Sequence, residues 1–201
     1  MPAPIEFYFD FSSPYAYLAS EQIEPLAARY GRGVNFNPVL LGAVFKVSGG
    51  APLTEQYEPK ARYSKHDFER SARFAGVAFR QPSKFPIGTV NASRALLWLQ
   101  QQHPALATPF VHAAFRAYFQ HDQDISDATV VGRVGQDIGV EASAMLQGMQ
   151  QAEVKDALKR RVDEAIAMGL FGAPTIVVDG EVFWGNDRLP QIERWLASGP
   201  F

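Results

Sequence analysis

Strand-like patterns occur only near the two ends of this chain, and that feature constrains its fold most. Apolar and polar residues alternate over Ile5–Phe11, and this period of two predicts a strand with one buried face. Val34–Val39 predicts a second strand, in which Pro38 indicates a strand end or a sheet edge. Near the other end, Thr175–Val178 and Glu181–Trp184 flank an Asp-Gly pair and predict a hairpin.

A long segment of helical periodicity separates the two groups of strands. From about Leu41 to Gln151, apolar residues recur at helical spacing and turn residues interrupt them. The helices predicted within it are Gln56–Phe74, Val90–Gln102, Pro109–Phe119, Asp127–Ile138 and Glu141–Met149. Outside it, helices are expected from Pro14 to about Tyr30, over Val154–Ile166 and over Leu189–Leu196. The order β-α-β, helical block, α-β-β-α predicts an α/β fold with a mixed sheet.

The composition fits a globular protein and narrows its chemistry. The 201 residues are 47% hydrophobic and 20% charged, which suits one domain, or one domain with an insertion, and excludes disorder. With 19 Lys and Arg against 21 Asp and Glu, the net charge of −2 gives no basic field for nucleic acid or an anionic membrane. The chain has no cysteine, which excludes disulfides, a thiolate nucleophile and a redox pair. Any sulfur chemistry here must use a borrowed thiol.

Several chemistry-bearing motifs do not occur in the sequence. The chain has no glycine-rich phosphate loop, no nucleophile elbow and no His-Glu-x-x-His pair. Its 4 histidines lack ligand spacing, since His112 and His121 would lie on opposite faces of one helix. We expect ordinary surface or capping roles for the histidines and no metal site.

The sequence also favours a cytoplasmic protein. The first residues lack the cationic and apolar pattern of a secretory signal. The longest uncharged stretch, Ala95–Phe115, contains glutamines and prolines that disfavour a membrane span. We therefore expect no association with a membrane.

Ser13 and Pro14 mark the start of the helix that follows the first strand. A serine hydroxyl can accept from the unpaired N–H groups of the first turn, while proline needs no donor at its position. A thiolate brought to Ser13 would be stabilised by the neighbouring N–H groups and by the positive end of the helix dipole. The plain alternative is a helix cap without chemistry.

Two further segments allow a binding interpretation beside a structural one. A cis bond at Ala173-Pro174 would turn the backbone of Ala173 outward, where an extended peptide could pair with it; otherwise Pro174 merely begins the strand. Asn186 or Asp187 could cap the last helix. That helix start could instead offer N–H groups to a ligand carboxylate, or Asp187 could hold a ligand ammonium.

Taken together, three segments resemble one enzyme family. FYFDFSSPYAYL, FGAPTIVV and FWGNDRL occur in this order, with the helical block between the first and the second. They are similar to the 2-hydroxychromene-2-carboxylate isomerases, which are close to the kappa-class glutathione transferases and to the DsbA-type disulfide oxidoreductases. The resemblance implies an α/β, thioredoxin-like fold with an all-helical insertion. The discontinuous thioredoxin-like domain would span residues 1–41 and 155–201, and the insertion 42–154.

The resemblance also implies how glutathione is held. Ser13, which stands where the oxidoreductases have a cysteine pair, would be the catalytic serine that directs its hydroxyl at the glutathione sulfur and favours the thiolate. Ala173 would contact the glutathione backbone, just before a cis Pro174. The residues that would hold the γ-glutamyl end are Trp184, Gly185, Asn186 and Asp187.

Residues of the helical block would meet the substrate. Lys46 lies in a predicted loop where the family places groups that contact the substrate carboxylate, and Phe85 would supply an apolar wall. Tyr63 and Asp67 match the family pattern of a tyrosine, three residues and an aspartate, which places them on one helix face. A surface pair between Asp67 and Arg70 is the plain alternative.

The function implied by the resemblance is glutathione-dependent isomerisation of an unsaturated aromatic carboxylate. The example is conversion of 2-hydroxychromene-2-carboxylate to trans-o-hydroxybenzylidenepyruvate in naphthalene-type catabolism, by an enzyme that is commonly a homodimer. Relatives often carry an asparagine near the position of Gly50, which leaves the particular substrate open. Two other functions also stay open: a kappa-like glutathione transferase, which would keep glutathione in a stable conjugate, and a non-catalytic thioredoxin-like module that binds peptides.

Overall fold

A computed structural model describes residues 2–201. The strands are β1 (Ile5–Phe9), β2 (Val34–Pro38), β3 (Thr175–Val178) and β4 (Glu181–Trp184). The helices are α1 (Pro14–Ala28), α2 (Leu41–Ser48), α3 (Glu58–Ala75), α4 (Val90–Gln102), α5 (Pro104–Phe119), α6 (Ala128–Asp137), α7 (Ala142–Gly148), α8 (Ala152–Ala167) and α9 (Leu189–Ser198). None of the helices in these residues combines the length and apolar character needed to cross a membrane.

The sheet combines strands from both ends of the chain. Its order is β2-β1-β3-β4; β1 runs parallel to β2 and antiparallel to β3, and β3 and β4 form the predicted hairpin. Phe7 of β1 pairs with Phe36 on one side and with Ile176 on the other. At the hairpin turn, Asp179 and Gly180 both have positive φ, 53° and 90°, the conformation that Asp-Gly turns favour. The predicted α/β order with a mixed sheet is confirmed.

An aromatic core joins the sheet to the helical block. Phe9 and Phe11 are fully buried, and their rings lie 5.4 and 5.1 Å from the ring of Phe115 in α5. Tyr17 in α1 stacks on Phe119 at 5.3 Å. Such pairs contribute stability beyond the burial of apolar area. They hold the junction between β1 and α1, where Ser13 lies.

Two helices differ from the sequence-based expectation. Helix α5 begins at Pro104, and Pro109 lies inside it, because packing of the buried face outweighs the hydrogen bond that a proline removes. The sequence does not predict α2, and Lys46, expected in a loop, lies in its last turn. With 8 residues that include a glycine and two valines, α2 is too short and too poor in helix-forming residues for its period to stand out.

Candidate active site

A cleft of about 1520 Å³ opens where α1 begins and extends between the β3–β4 end of the molecule and helices α2 and α3. Most of the residues predicted from the sequence line it: Ser13, Lys46, Asp67, Phe85, Ala173, Trp184, Gly185, Asn186 and Asp187. Pro174 is buried and does not line the cleft. Tyr63 also lies outside it, 57% exposed. The cleft thus brings together both ends of the chain and the helical block.

Ser13 caps helix α1 and also contacts the segment before β3. Its Oγ accepts a hydrogen bond from the Ala16 N–H at 3.2 Å and donates one to the Ala173 carbonyl at 3.1 Å. The residue is only 6% exposed, at the positive end of the α1 dipole, where an anion is favoured. The capping and thiolate interpretations are compatible, because the oxygen that caps the helix carries a hydrogen that can turn toward a bound anion.

The loop before β3 is tied to the segment after β4. The Ala173-Pro174 bond is cis, as the resemblance implied. The Pro174 carbonyl accepts a hydrogen bond from the Gly185 N–H at 3.0 Å. Gly185 has a φ of 109°, a left-handed value that a residue with a side chain rarely adopts. This bond places Trp184–Asp187 next to Ala173.

Trp184 forms a flat aromatic wall beside Ala173. Its indole is 53% exposed and packs edge-on against Phe171, with ring centroids 4.9 Å apart. The indole also lies directly over Gly172, where a Cβ would come 2.5 Å from Nε1. Phe171 and Gly172 belong to the FGAPTIVV segment, but no local pattern predicted their contact with Trp184.

Asn186 and Asp187 do not cap the last helix, which corrects one expectation from the sequence. They form a 3₁₀ turn, Asn186–Arg188, and the residue that caps α9 is Arg188, without a side-chain hydrogen bond to the helix. Asp187 instead pairs with Arg188 at 2.9 Å. The extra turn separates the two polar side chains from the helix start and leaves them at the cleft.

The opposite side of the cleft comes from the helical block. Lys46 lies in the last turn of α2, so the prediction of a loop at this position is wrong. The residue nevertheless lines the cleft. Phe85 packs against Phe68 of α3 and against Tyr118 of α5, with ring centroids 6.2 and 6.5 Å apart. This side therefore offers the cations Lys46, Lys60 and Arg70 and an apolar surface.

Asp67 is saturated by neighbouring donors. Its carboxylate accepts from the Tyr15 hydroxyl at 2.5 Å and from Arg70, whose guanidinium also donates to the Tyr63 hydroxyl at 2.7 Å. Burial alone would raise the pKa of Asp67, but these donors outweigh it and hold the pKa below its ordinary value. The surface pair with Arg70 is thus present, and Asp67 connects α3 to the first turn of α1.

Asp10 is the buried residue of the cleft that the sequence analysis missed. The alternating pattern placed it on the polar face of the first strand, but β1 ends at Phe9. Asp10 is 5% exposed, lies at the β1–α1 junction and lines the cleft. Asp10 lies three residues before the helix cap Ser13, and this position alone gave no sign of its distant partners. Residues 2–201 contain no group of three or more His, Asp or Glu side chains placed to hold a metal ion.

Comparisons with known proteins relate this fold to others. Residues 4–197 match the family described as the DSBA-like thioredoxin domain. A 2-hydroxychromene-2-carboxylate isomerase of Sphingobium xenophagum is 31% identical over 98% of this chain and 100% of its own length. Glutathione S-transferase kappa 2 of Caenorhabditis elegans is 28% identical over 98% of this chain and 92% of its own.

A solved structure of a 2-hydroxychromene-2-carboxylate isomerase has the same fold. It superposes with a TM-score of 0.83 at 26% identity, covering 96% of this chain and 94% of that one. The thioredoxin-like fold of the DsbA type, expected from the three sequence segments, is confirmed.

Proposed function

Because the chain belongs to the DSBA-like thioredoxin domains and, within them, to the 2-hydroxychromene-2-carboxylate isomerases, which are enzymes, we propose an isomerase function for it. Its substrate is an unsaturated aromatic carboxylate, and its cofactor is glutathione. The proposed reaction converts 2-hydroxychromene-2-carboxylate, or a close relative, to the trans-benzylidenepyruvate. One observation carries the proposal: in a chain without cysteine, a buried serine hydroxyl lies at a helix N-terminus that lines a large cleft.

The donor groups around Ser13 suit glutathione. A tripeptide can extend along Ala173 with its thiol at Ser13 and its charged end among Asn186, Asp187 and Arg188, all of which line the cleft. When bound there, glutathione would supply a thiolate for reversible addition to a conjugated carbon of the substrate, which would allow the former double bond to rotate with no net gain or loss of atoms. The role of the chain is to hold sulfur and substrate in register.

Ser13 acts by hydrogen bonding and not by covalent attack. Its hydroxyl turns from the Ala173 carbonyl to the sulfur and lowers the pKa of the thiol, together with the helix dipole. The hydrogen-bond partners of the Ser13 hydroxyl within residues 2–201 are Ala16 and Ala173, and neither is a base that could activate it as a nucleophile.

Lys46 holds the substrate carboxylate. Three other cations of the cleft are already paired with acids: Arg29 with Glu193, Arg70 with Asp67 and Arg188 with Asp187. Within residues 2–201, Lys46 and Lys60 line the cleft without such a pair, and the resemblance to the isomerases assigns the substrate carboxylate to Lys46. The aromatic part of the substrate packs on Phe85, next to the cofactor.

Calorimetric titration with glutathione tests the thiol site. In this titration, wild-type protein binds one glutathione per chain. In a separate turnover assay, Ser13→Ala lowers kcat by about tenfold to a thousandfold, the range for loss of one preorganised donor. Ser20→Ala is the matched control, because this buried serine is in the same helix, donates to the Tyr17 carbonyl at 2.8 Å and does not line the cleft. Absence of glutathione binding would contradict the proposal and leave a thioredoxin-like binding module.

A second candidate function is a kappa-like glutathione transferase, favoured by the 28% identity to such an enzyme. It shares the thiolate site and differs in the product. Mass spectrometry of the product decides: an unchanged substrate mass with an altered geometry supports the isomerase, and a mass increased by that of glutathione supports the transferase.

The resemblance to the isomerases also supports a homodimer. Light scattering coupled to gel filtration gives the mass of the particle directly. A mass equal to one chain would contradict the dimer.

A further inference from the structure

The loop Asp10–Ser13, between β1 and α1, divides the cleft into two sides. Ser13 connects it to one side, which we call the glutathione wall, formed by Ala173 and Trp184–Asp187. The Asp10 carboxylate and the Ser12 hydroxyl each accept a hydrogen bond from the other side, which we call the substrate wall, formed by Leu41–Lys46 and Phe85–Ile87. The Ser12 Oγ accepts from the Ile87 N–H at 3.1 Å.

Asp10 collects three hydrogen bonds from three separate segments. Its Oδ1 accepts from the Ser12 N–H at 2.8 Å and from the Thr89 hydroxyl at 2.8 Å. Its Oδ2 accepts from the Leu41 N–H at 2.8 Å. Leu41 is the first residue of α2, which carries Lys46, and Thr89 directly precedes α4. A single carboxylate thus joins the helix that carries Lys46, Thr89 two residues after the Phe85–Ile87 segment, and the loop that carries Ser13.

We propose that Asp10 is a positioning residue that sets the substrate wall of the cleft relative to Ser13, and thereby controls affinity for the aromatic carboxylate. Naming that wall for the substrate rests on the proposed function. Loss of the Asp10 carboxylate releases Leu41, Thr89 and the Ser12 N–H. The effect is selective because the two bonds that Ser13 donates, from its N–H to the Asp10 carbonyl and from its hydroxyl to the Ala173 carbonyl, do not involve that carboxylate.

The position of Asp10 requires a side chain with two oxygens that both accept hydrogen bonds. An ionised carboxylate accepts at both oxygens, while the amide of asparagine presents a donor at one of them and opposes the donor that faces it. Burial holds the pKa of Asp10 above its ordinary value, and the bonds from Ser12, Leu41 and Thr89 offset part of that rise. The backbone N–H donors at both oxygens favour the ionised form. Hydrogen bonds to a buried charged group are among the stronger ones, so their loss displaces the attached segments.

The test compares two ligands in separate calorimetric titrations: glutathione for one wall, and 2-naphthoate, a bicyclic aromatic carboxylate, for the other. Asp10→Asn raises the Kd of 2-naphthoate about tenfold or more, the effect of losing one hydrogen bond to a charged group. The Kd of glutathione changes less than about threefold. Thr89→Val, which removes one of the three donors, has the same selectivity and a smaller effect.

Glu21→Gln is the control for a merely structural role. Glu21 is a half-buried carboxylate of α1 that contacts Arg116 and does not line the cleft. The Glu21→Gln substitution is expected to lower the melting temperature and to leave the Kd values of glutathione and of 2-naphthoate unchanged.

Three outcomes would overturn the proposal: an unchanged Kd for 2-naphthoate in Asp10→Asn, an equal loss of both affinities, or no binding of 2-naphthoate by the wild type. If circular dichroism shows that Asp10→Asn is unfolded, Thr89→Val decides by the same criteria. Binding of 2-naphthoate without binding of glutathione would contradict the proposed function, while the comparison of variants would still decide the role of Asp10.

Discussion

Gly172 is required by the indole that lies over it. A Cβ at this position would come 2.5 Å from Nε1 and 3.0 Å from Cε2 of Trp184, closer than a van der Waals contact allows. Gly172→Ala therefore displaces Trp184 and raises the Kd of glutathione about tenfold, or about 1.4 kcal/mol. Gly33→Ala is the control, since its Cβ meets no atom within 4 Å. Equal glutathione affinities of the two variants by calorimetry would contradict a role for the Trp184 wall.

Individual site residues were predictable to different degrees. Ser13 and Ala173 stand in short motifs at element boundaries, so the sequence places them at the cleft. Asp10 and Tyr15 were not predictable, because their partners Leu41, Thr89 and Asp67 lie 31 to 79 residues away in the chain. A local pattern cannot show which distant donor will satisfy a buried carboxylate.

Helices α1 and α5 are joined by a cluster of charged side chains. His112 Nε2 lies 2.5 Å from a carboxylate oxygen of Glu24, and Arg116 makes two hydrogen bonds to Glu21, at 3.0 and 2.6 Å. Burial alone would lower the pKa of His112, but hydrogen bonds with Glu21 and Glu24 outweigh it and raise the pKa to about 9. His112 is thus a partly buried ion-pair residue, which the surface or capping role expected from the sequence did not include.

This cluster makes stability depend on pH. Because the pKa of His112 is higher in the folded chain than its ordinary value of 6.5, its contribution is complete below pH 6.5 and is lost as the pH rises through about 9. We expect the free energy of unfolding of the wild type to fall by on the order of 2 kcal/mol more than that of His112→Gln between pH 6 and pH 10. Urea unfolding at both pH values measures this difference. Parallel losses in the two proteins would contradict the ion pair.

Element boundaries show where local signals suffice. The strands of the β3–β4 hairpin are as predicted, because an Asp-Gly turn and alternating residues are strong local signals. The start of α5 differs because both Pro104 and Pro109 satisfy the rule for a helix start. Only the packing of the buried residues of α5 against β1 decides between them.

One buried cluster spans the proposed boundary between the thioredoxin-like domain and the helical insertion. It includes Phe11 of the first segment and Phe110 of the second, whose rings are 6.2 Å apart. We therefore expect both segments to unfold in one transition. Phe110→Ala lowers the free energy of unfolding by about 3 to 5 kcal/mol. Hydrogen exchange measured against urea concentration then shows β3–β4 and α4 losing protection at one common, lowered midpoint.

The control for this experiment is Phe74→Ala, because Phe74 is 95% exposed and its loss leaves the core intact. If Phe110→Ala shifted the midpoint of α4 but not that of β3–β4, the two segments would be separate cooperative units.

The pairing of β1 between β2 and β3 has a consequence for biosynthesis. During translation, β2 emerges soon after β1, but the other edge of β1 keeps its N–H and C=O groups unpaired until β3 has left the ribosome, since Phe7 pairs with Ile176. A nascent chain that already contains all of α3 to α8 therefore still exposes an open strand edge flanked by phenylalanines, a template for pairing with other chains. We therefore expect the share of chains that reach the native fold to depend on how long this edge stays open before β3 pairs with it.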